Sequence, residues 1–191
     1  MLIVVGFSSC NNDECVETED TEKSELLSEE FKTTFSESDY HLALNEFSSA
    51  MQTTRAYGLS EEMIKKAIKP FTRDGEFIIE QLLNDKTSSD EEKVIWENLD
   101  ECQLAMLSVI ANSLIYDVED DTRAATNSSL HCLSEAIVGG GPMVGTGTWV
   151  TILKIGGKTA LKRAACALGG MVGGAIAVAM FINDYNACMN R

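Results

Sequence analysis

From Ser28 onward the apolar residues fall at helical rather than alternating spacing, and the pattern predicts a succession of α-helices. Phe31, Phe35 and Leu42, then Tyr40, Leu44, Phe47 and Met51, mark one or two helices that close at Gly58 after a last turn carrying Arg55. Ser60 is placed to cap the next, with Glu61 and Glu62 in its electropositive first turn and Pro70, after Lys65, Lys66 and Lys69, as its stop. A shorter helix is expected over residues 75–84. The clearest pattern follows it: Ser89 or Asp90 caps, Glu91 and Glu92 occupy the first turn, and Ile95, Leu99, Cys102, Met106, Val109 and Ser113 line one face. These elements predict an all-α fold, a small helical bundle.

The remainder of the chain changes character. Residues 136–153 and 164–183 carry no charged side chain, and a basic bridge holding Lys154, Lys158, Lys162 and Arg163 separates them. The expectation is a glycine-rich apolar helical hairpin following the bundle. A helix of about 20 residues spans about 30 Å, so residues 164–183 have the length to cross a bilayer. Gly169 with Gly173, and Gly170 with Gly174, form overlapping G-x-x-x-G pairs, which would give one helix face a groove for close helix packing. In water each such glycine weakens a helix by about 1 kcal/mol relative to Ala, so a packing partner must offset the loss. The first apolar stretch, a second copy of the chain and the upstream bundle are all candidates. A hairpin buried in the core of a soluble domain satisfies the same pattern, and both readings stand open on sequence alone.

Charge sharpens this division. The net charge of the 191-residue chain is −15, which excludes nucleic acid as a partner, because phosphate binding needs a basic face to release counterions. Residues 1–122 hold 28 acidic and 9 basic side chains, whereas residues 123–191 hold 2 acidic and 6 basic. An acidic helical domain over residues 28–122 and a cationic segment over residues 123–191 are therefore expected.

Residues 2–7 are apolar, Ser8 and Ser9 are small, and the chain turns polar at Cys10. No Lys or Arg precedes the apolar run, so it reads as residues 1–9 of a shortened export signal whose true start lies upstream. Phe7-Ser8-Ser9-Cys10 resembles a lipobox, the site at which bacterial lipoproteins are cut before a cysteine that receives lipid; Phe7 departs from the usual Leu. Asn11-Asn12-Asp13-Glu14 is similar to the start of mature lipoproteins of the Bacteroidota, in which acidic residues after the cysteine accompany surface display. The resemblance implies lipid attachment at Cys10 and an outer-membrane, cell-envelope location. Residues 10–27, with seven carboxylates among Ser and Thr, then read as an acidic tether that buries too little apolar surface to fold alone. The rival reading makes residues 2–7 a buried edge strand and Cys10 a core thiol.

No constellation of residues announces a reaction. Asp117, Glu119, Asp120 and Asp121 lack the alternating ligands and central glycine of a calcium loop. Asp100 and Glu101 are adjacent and point to different helix faces. His41 has no His or Cys three or four residues away, and His131-Cys132 is likewise the wrong spacing for a helical metal pair. The stretch "WVTILKIGGKTALKRAA" has the outline of a phosphate-binding loop, but Ile152 stands where the motif requires glycine, and Lys158 is assigned instead to the basic bridge. Neither a cofactor nor a metal is expected.

Setting Cys10 aside for lipid leaves five cysteines, an odd number. Export makes disulfides possible, and pairs that tie the glycine-rich end to itself or to the bundle are expected, such as Cys132 with Cys188; a chain kept in the cytosol would hold buried reduced thiols instead. Two functions follow as expectations. The first is a non-enzymatic envelope lipoprotein, a binding or assembly module contacting the membrane through its anchor and residues 164–183, or another protein through the glycine-rich end. The alternative is a membrane-active precursor, similar in outline to a bacteriocin, with a cleavable junction over residues 117–128 and a cationic glycine-rich active segment.

Overall fold

The computed structural model describes residues 31–55, 60–116, 129–139, 149, 151–152, 157–171 and 174–191. These form seven helices and no strand among the described residues: α1 Glu37–Arg55, α2 Glu61–Leu83, α3 Asp90–Glu97, α4 Glu101–Tyr116, α5 Ser129–Gly139, α6 Gly157–Gly169 and α7 Ala175–Met189. The all-α bundle is thus the fold. The lipobox-like residues, Cys10 among them, the tether and the acidic run over residues 117–121 lie outside the described residues.

Two expected helices are one. Ser60 caps α2 by accepting from the Met63 amide at 3.3 Å, but the helix passes through Pro70 and ends only at Asn84. Pro70 removes one backbone donor and crowds the turn before it. It is tolerated because it lies on the exposed side, where the freed carbonyl faces water, while Ile64, Ile68, Phe71, Gly75, Ile78 and Leu82 keep an unbroken buried stripe on the other. Burial of each large member of that stripe stabilises the fold by about 1.5–3 kcal/mol, enough to outweigh the local break.

Conversely, the single helix expected after Ser89 is two. Ser89 and Glu92 form a reciprocal capping box that starts α3. The chain breaks at residues 98–100, and Asp100 then starts α4 by accepting from the amides of Cys102 and Gln103, both at 2.8 Å, while Gln103 Oε1 accepts from the Asp100 amide. Asp100-x-x-Gln103 is a second capping box, hidden in the sequence by an apolar stripe that continues across it.

Helix α4 is the axis of the molecule. It is apolar on nearly every side, with only Leu104 less than fully buried between Cys102 and Leu114, as expected of a helix with protein all round. Helices α1, α2, α5, α6 and α7 all pack against it. Residues from 28–122 and from 123–191 share one hydrophobic core: Phe47, Ile64, Leu107 and Trp96 belong to the same cluster as Leu161, Phe181 and Ile182.

Candidate functional site

The only charged side chain buried among the described residues is Asp74, at 0% exposure, where α2 crosses α4. The helices meet there because residue 75 is glycine: a Cβ on Gly75 would collide with the backbone carbonyl of Leu104. A buried carboxylate is costly unless its oxygens are all bonded. Asp74 Oδ1 accepts from the Thr34 amide and hydroxyl, and Oδ2 accepts from Ser108 Oγ at 2.7 Å and Asn112 Nδ2 at 2.8 Å. Ser108 and Asn112 are one turn apart on α4, so they face α2 together. Thr34 comes from the non-helical residues 31–36 that lead into α1.

A second buried polar pair lies along the same helix. Tyr40 reaches from α1 to donate to the Val109 carbonyl at 3.2 Å beside Ser113. Burial, with the neighbouring Tyr185 hydroxyl from α7, holds its phenol well above the ordinary tyrosine range. Asn186 of α7 donates to Ser48 Oγ at 2.9 Å on α1. These contacts give the helix packing a fixed register and bring no water-accessible nucleophile or acid–base pair together.

The basic bridge meets its counterion at the opposite end of α2. Asp85, in the α2–α3 connection, accepts from Lys162 Nζ at 2.7 Å and Lys158 Nζ at 3.1 Å, both on α6. Lys162 also donates to the Thr87 hydroxyl. Lys162 first, then the Thr87 amide and hydroxyl and Lys158, hold the Asp85 carboxyl far below the usual carboxylate range. Lys158 is therefore occupied by a carboxylate of its own chain. Gly157, at φ 65°, starts α6 in the left-handed region that glycine adopts freely.

The three described glycines of the expected groove, Gly169, Gly170 and Gly174, meet different surroundings. Gly169 ends α6 and lies where a Cβ would strike the Ile95 side chain of α3. Gly170 sits in the following turn against its own chain, and Gly174 caps α7 with nothing within 4 Å of a Cβ. Gly173 lies outside the described residues. Residues 164–183 are thus divided between two helices with different partners: α6 packs on α3 and α4, and α7 on α5, α1, α4 and α2. No described helix is long and apolar enough to cross a membrane.

Cys132 of α5 and Cys188 of α7 form a disulfide, the pairing given as an example from sequence, with a Cα–Cα distance of 5.3 Å. Close by, Glu135 pairs with His131 at 3.5 Å and with Arg191 at 3.4 Å. Cys102 is a thiol buried in α4, and burial pushes its pKa up, which leaves it unreactive. His41 lies 4.0 Å from Glu37. No group of three side chains that could hold a metal ion occurs among the described residues.

Sequence reasoning missed Asp74 and its donors. The available signal was an Asp-Gly pair at inward positions of α2, matched by Ser108 and Asn112 one turn apart in an otherwise apolar helix. Comparison of the chain with protein-family models, curated proteins and solved structures finds no match in any of the three.

Proposed function

We propose that this chain is the folded module of a cell-envelope lipoprotein with a non-enzymatic binding or assembly role, anchored by lipid at Cys10 and held off the outer membrane, on its surface face, by the acidic residues 11–27. The observation that supports this most is the union of the acidic and glycine-rich parts in one core closed by Cys132–Cys188. A binding module should be stable as one unit, and a structural disulfide persists in an oxidising compartment such as the envelope. The lipobox-like Phe7-Ser8-Ser9-Cys10 and the tether composition supply the anchor. Two or more acyl chains, at about 0.8 kcal/mol per buried CH2, suffice for stable attachment without a spanning helix.

Metabolic fatty-acid labelling and intact mass of the protein from native membranes, with Cys10→Ala in parallel, test this reading. Label and a diacyl mass increment that vanish in the variant are expected. An unlabelled wild-type protein overturns the anchor.

The precursor alternative draws on one feature: both cysteines of the disulfide lie within residues 123–191, so a cut over residues 117–128 would leave that bond inside the released segment. That segment would have to abandon the core it shares with α1, α2 and α4. Dye leakage from anionic vesicles after such a cut is its test, and intact vesicles remove it.

A further inference from the structure

We infer that α2 and α4 form a peptide-binding groove which the chain's own residues 31–36 fill in cis, and which accepts a short peptide of the pattern aromatic-x-x-Thr-aromatic. The segment is not helical: Phe31 is buried, Thr33 and Phe35 are half-buried, and Lys32, Thr34 and Ser36 are exposed, although Thr34 turns its hydroxyl onto buried Asp74. It is held mainly by side chains acting on its backbone. The Gln81 amide on α2 accepts from the Lys32 N–H at 3.1 Å and donates to the Lys32 carbonyl at 2.7 Å. Asp74 accepts from the Thr34 N–H and hydroxyl. The Tyr116 hydroxyl on α4 donates to the Phe35 carbonyl at 2.7 Å.

Backbone capture of this kind reads the path of a peptide, and the aromatic anchors add the selectivity. Phe31 is 1% exposed, and the Phe35 ring lies 5.7 Å from Phe71 and 6.1 Å from Tyr40. Thr34 is the one central position whose side chain is also read. The fit of residues 31–36 therefore specifies what else would fit. The two helices that carry the groove also touch directly, Gly75 against Leu104, so that contact persists when the segment leaves, while Asp74 Oδ1 gives up the Thr34 donors that a bound peptide would restore. The segment joins α1 through Ser36 and the Phe35–Tyr40 ring contact, and its local opening leaves the Gly75–Leu104 contact closed. This reading is independent of lipid attachment.

The test uses the full chain with Phe31→Ala and Thr34→Val, which loosens the segment and leaves Asp74, Gln81 and Tyr116 in place. A fluorescein-labelled peptide of residues 29–37, EEFKTTFSE, is titrated and followed by anisotropy. Binding at least tenfold tighter than to the wild-type chain is expected, lost when both peptide phenylalanines become alanine and weakened when Gln81→Ala is added to the protein. Absence of binding to a variant that keeps its helical circular dichroism and cooperative melting overturns the proposal. Should the double variant not fold, hydrogen exchange of the wild-type chain decides. Exchange of the Lys32 and Thr34 amides well before the α2 interior sustains the groove, and exchange only with global unfolding rejects it.

Discussion

Two helix pairs in this molecule are joined by opposite means. Where α2 crosses α4, a missing side chain at Gly75 lets backbone meet backbone, and Asp74 is buried with a full set of donors. Where α5 lies beside α7, the join is a covalent bond between Cys132 and Cys188, flanked by the half-exposed Glu135 with His131 and Arg191. The first contact is specified by shape and polar satisfaction, and its cost of failure is a collision or an orphaned donor. The second is specified by chemistry and constrains the unfolded chain more than it perfects the folded one. The local packing of the bundle's centre should therefore answer to small steric changes more than to reductant, and the α5–α7 pair the reverse.

The largest expected effect comes from the covalent side. The disulfide spans 56 residues, and closing a loop of that size stabilises a fold by about 4 kcal/mol in the chain-entropy view. Replacing Cys132 and Cys188 together by Ser should lower the urea midpoint by an amount matching about 4 kcal/mol, and reductant should reproduce it in the wild-type chain. Hydrogen exchange should then show α5 and α7 opening more easily by more than the global loss that the α2–α4 crossing shares with them. Equal loosening of both pairs would break the contrast.

Gly75→Ala should follow, at about 3 kcal/mol, because the added methyl meets a backbone carbonyl that cannot step aside in a packed core. Gly169→Ala supplies the control. Its methyl would meet the Cγ2 methyl of Ile95, a side chain 38% exposed that can turn about χ1 towards solvent where a backbone carbonyl cannot, and alanine is the better helix former. A change within about 1 kcal/mol of zero is expected there. Equal losses at the two glycines, measured by denaturant unfolding, would show that proximity alone, without the rigidity of the neighbour, sets the cost.

The sequence made some of this legible. Helix content and the Ser60 and Ser89 caps follow from local rules about spacing and dipoles, whereas Cys132–Cys188 is one example of a pair that would tie down the glycine-rich end and follows from no local rule. Boundaries were misread where tertiary burial outweighs a local signal. Pro70 signals a stop, yet the stripe from Ile64 to Leu82 buries straight through it. The stripe from Ile95 to Ser113 signals one helix, yet Asp100 and Gln103 restart the chain within it. The G-x-x-x-G spacing presumes a continuous helix, and α6 ends at Gly169, the first of the four. Asp74 could not be placed from sequence because its partners lie at residues 34, 108 and 112, and nothing local links them.

The smallest effect expected is electrostatic, and it sets a surface carboxylate against the buried one. Asp85 binds two lysines at the bundle's edge, and Lys162 and its neighbours depress its pKa in the folded state. A depressed folded pKa means the unfolded chain takes up the proton first as pH falls. The stability Asp85 contributes is then complete above the ordinary carboxylate pKa of about 4 and is lost as acid approaches the lower folded value. Asp85→Asn should cost about 1 kcal/mol at pH 7, in the range of partly screened ion pairs, and less in high salt. Between about pH 5 and pH 2 the wild-type advantage should shrink towards zero, since protonation removes from Asp85 what the substitution has already removed. A difference that holds constant through acid would assign the role of Asp85 to its hydrogen bonds with Thr87, which the asparagine amide can partly keep, and not to the charge that ties α6 to the α2–α3 connection.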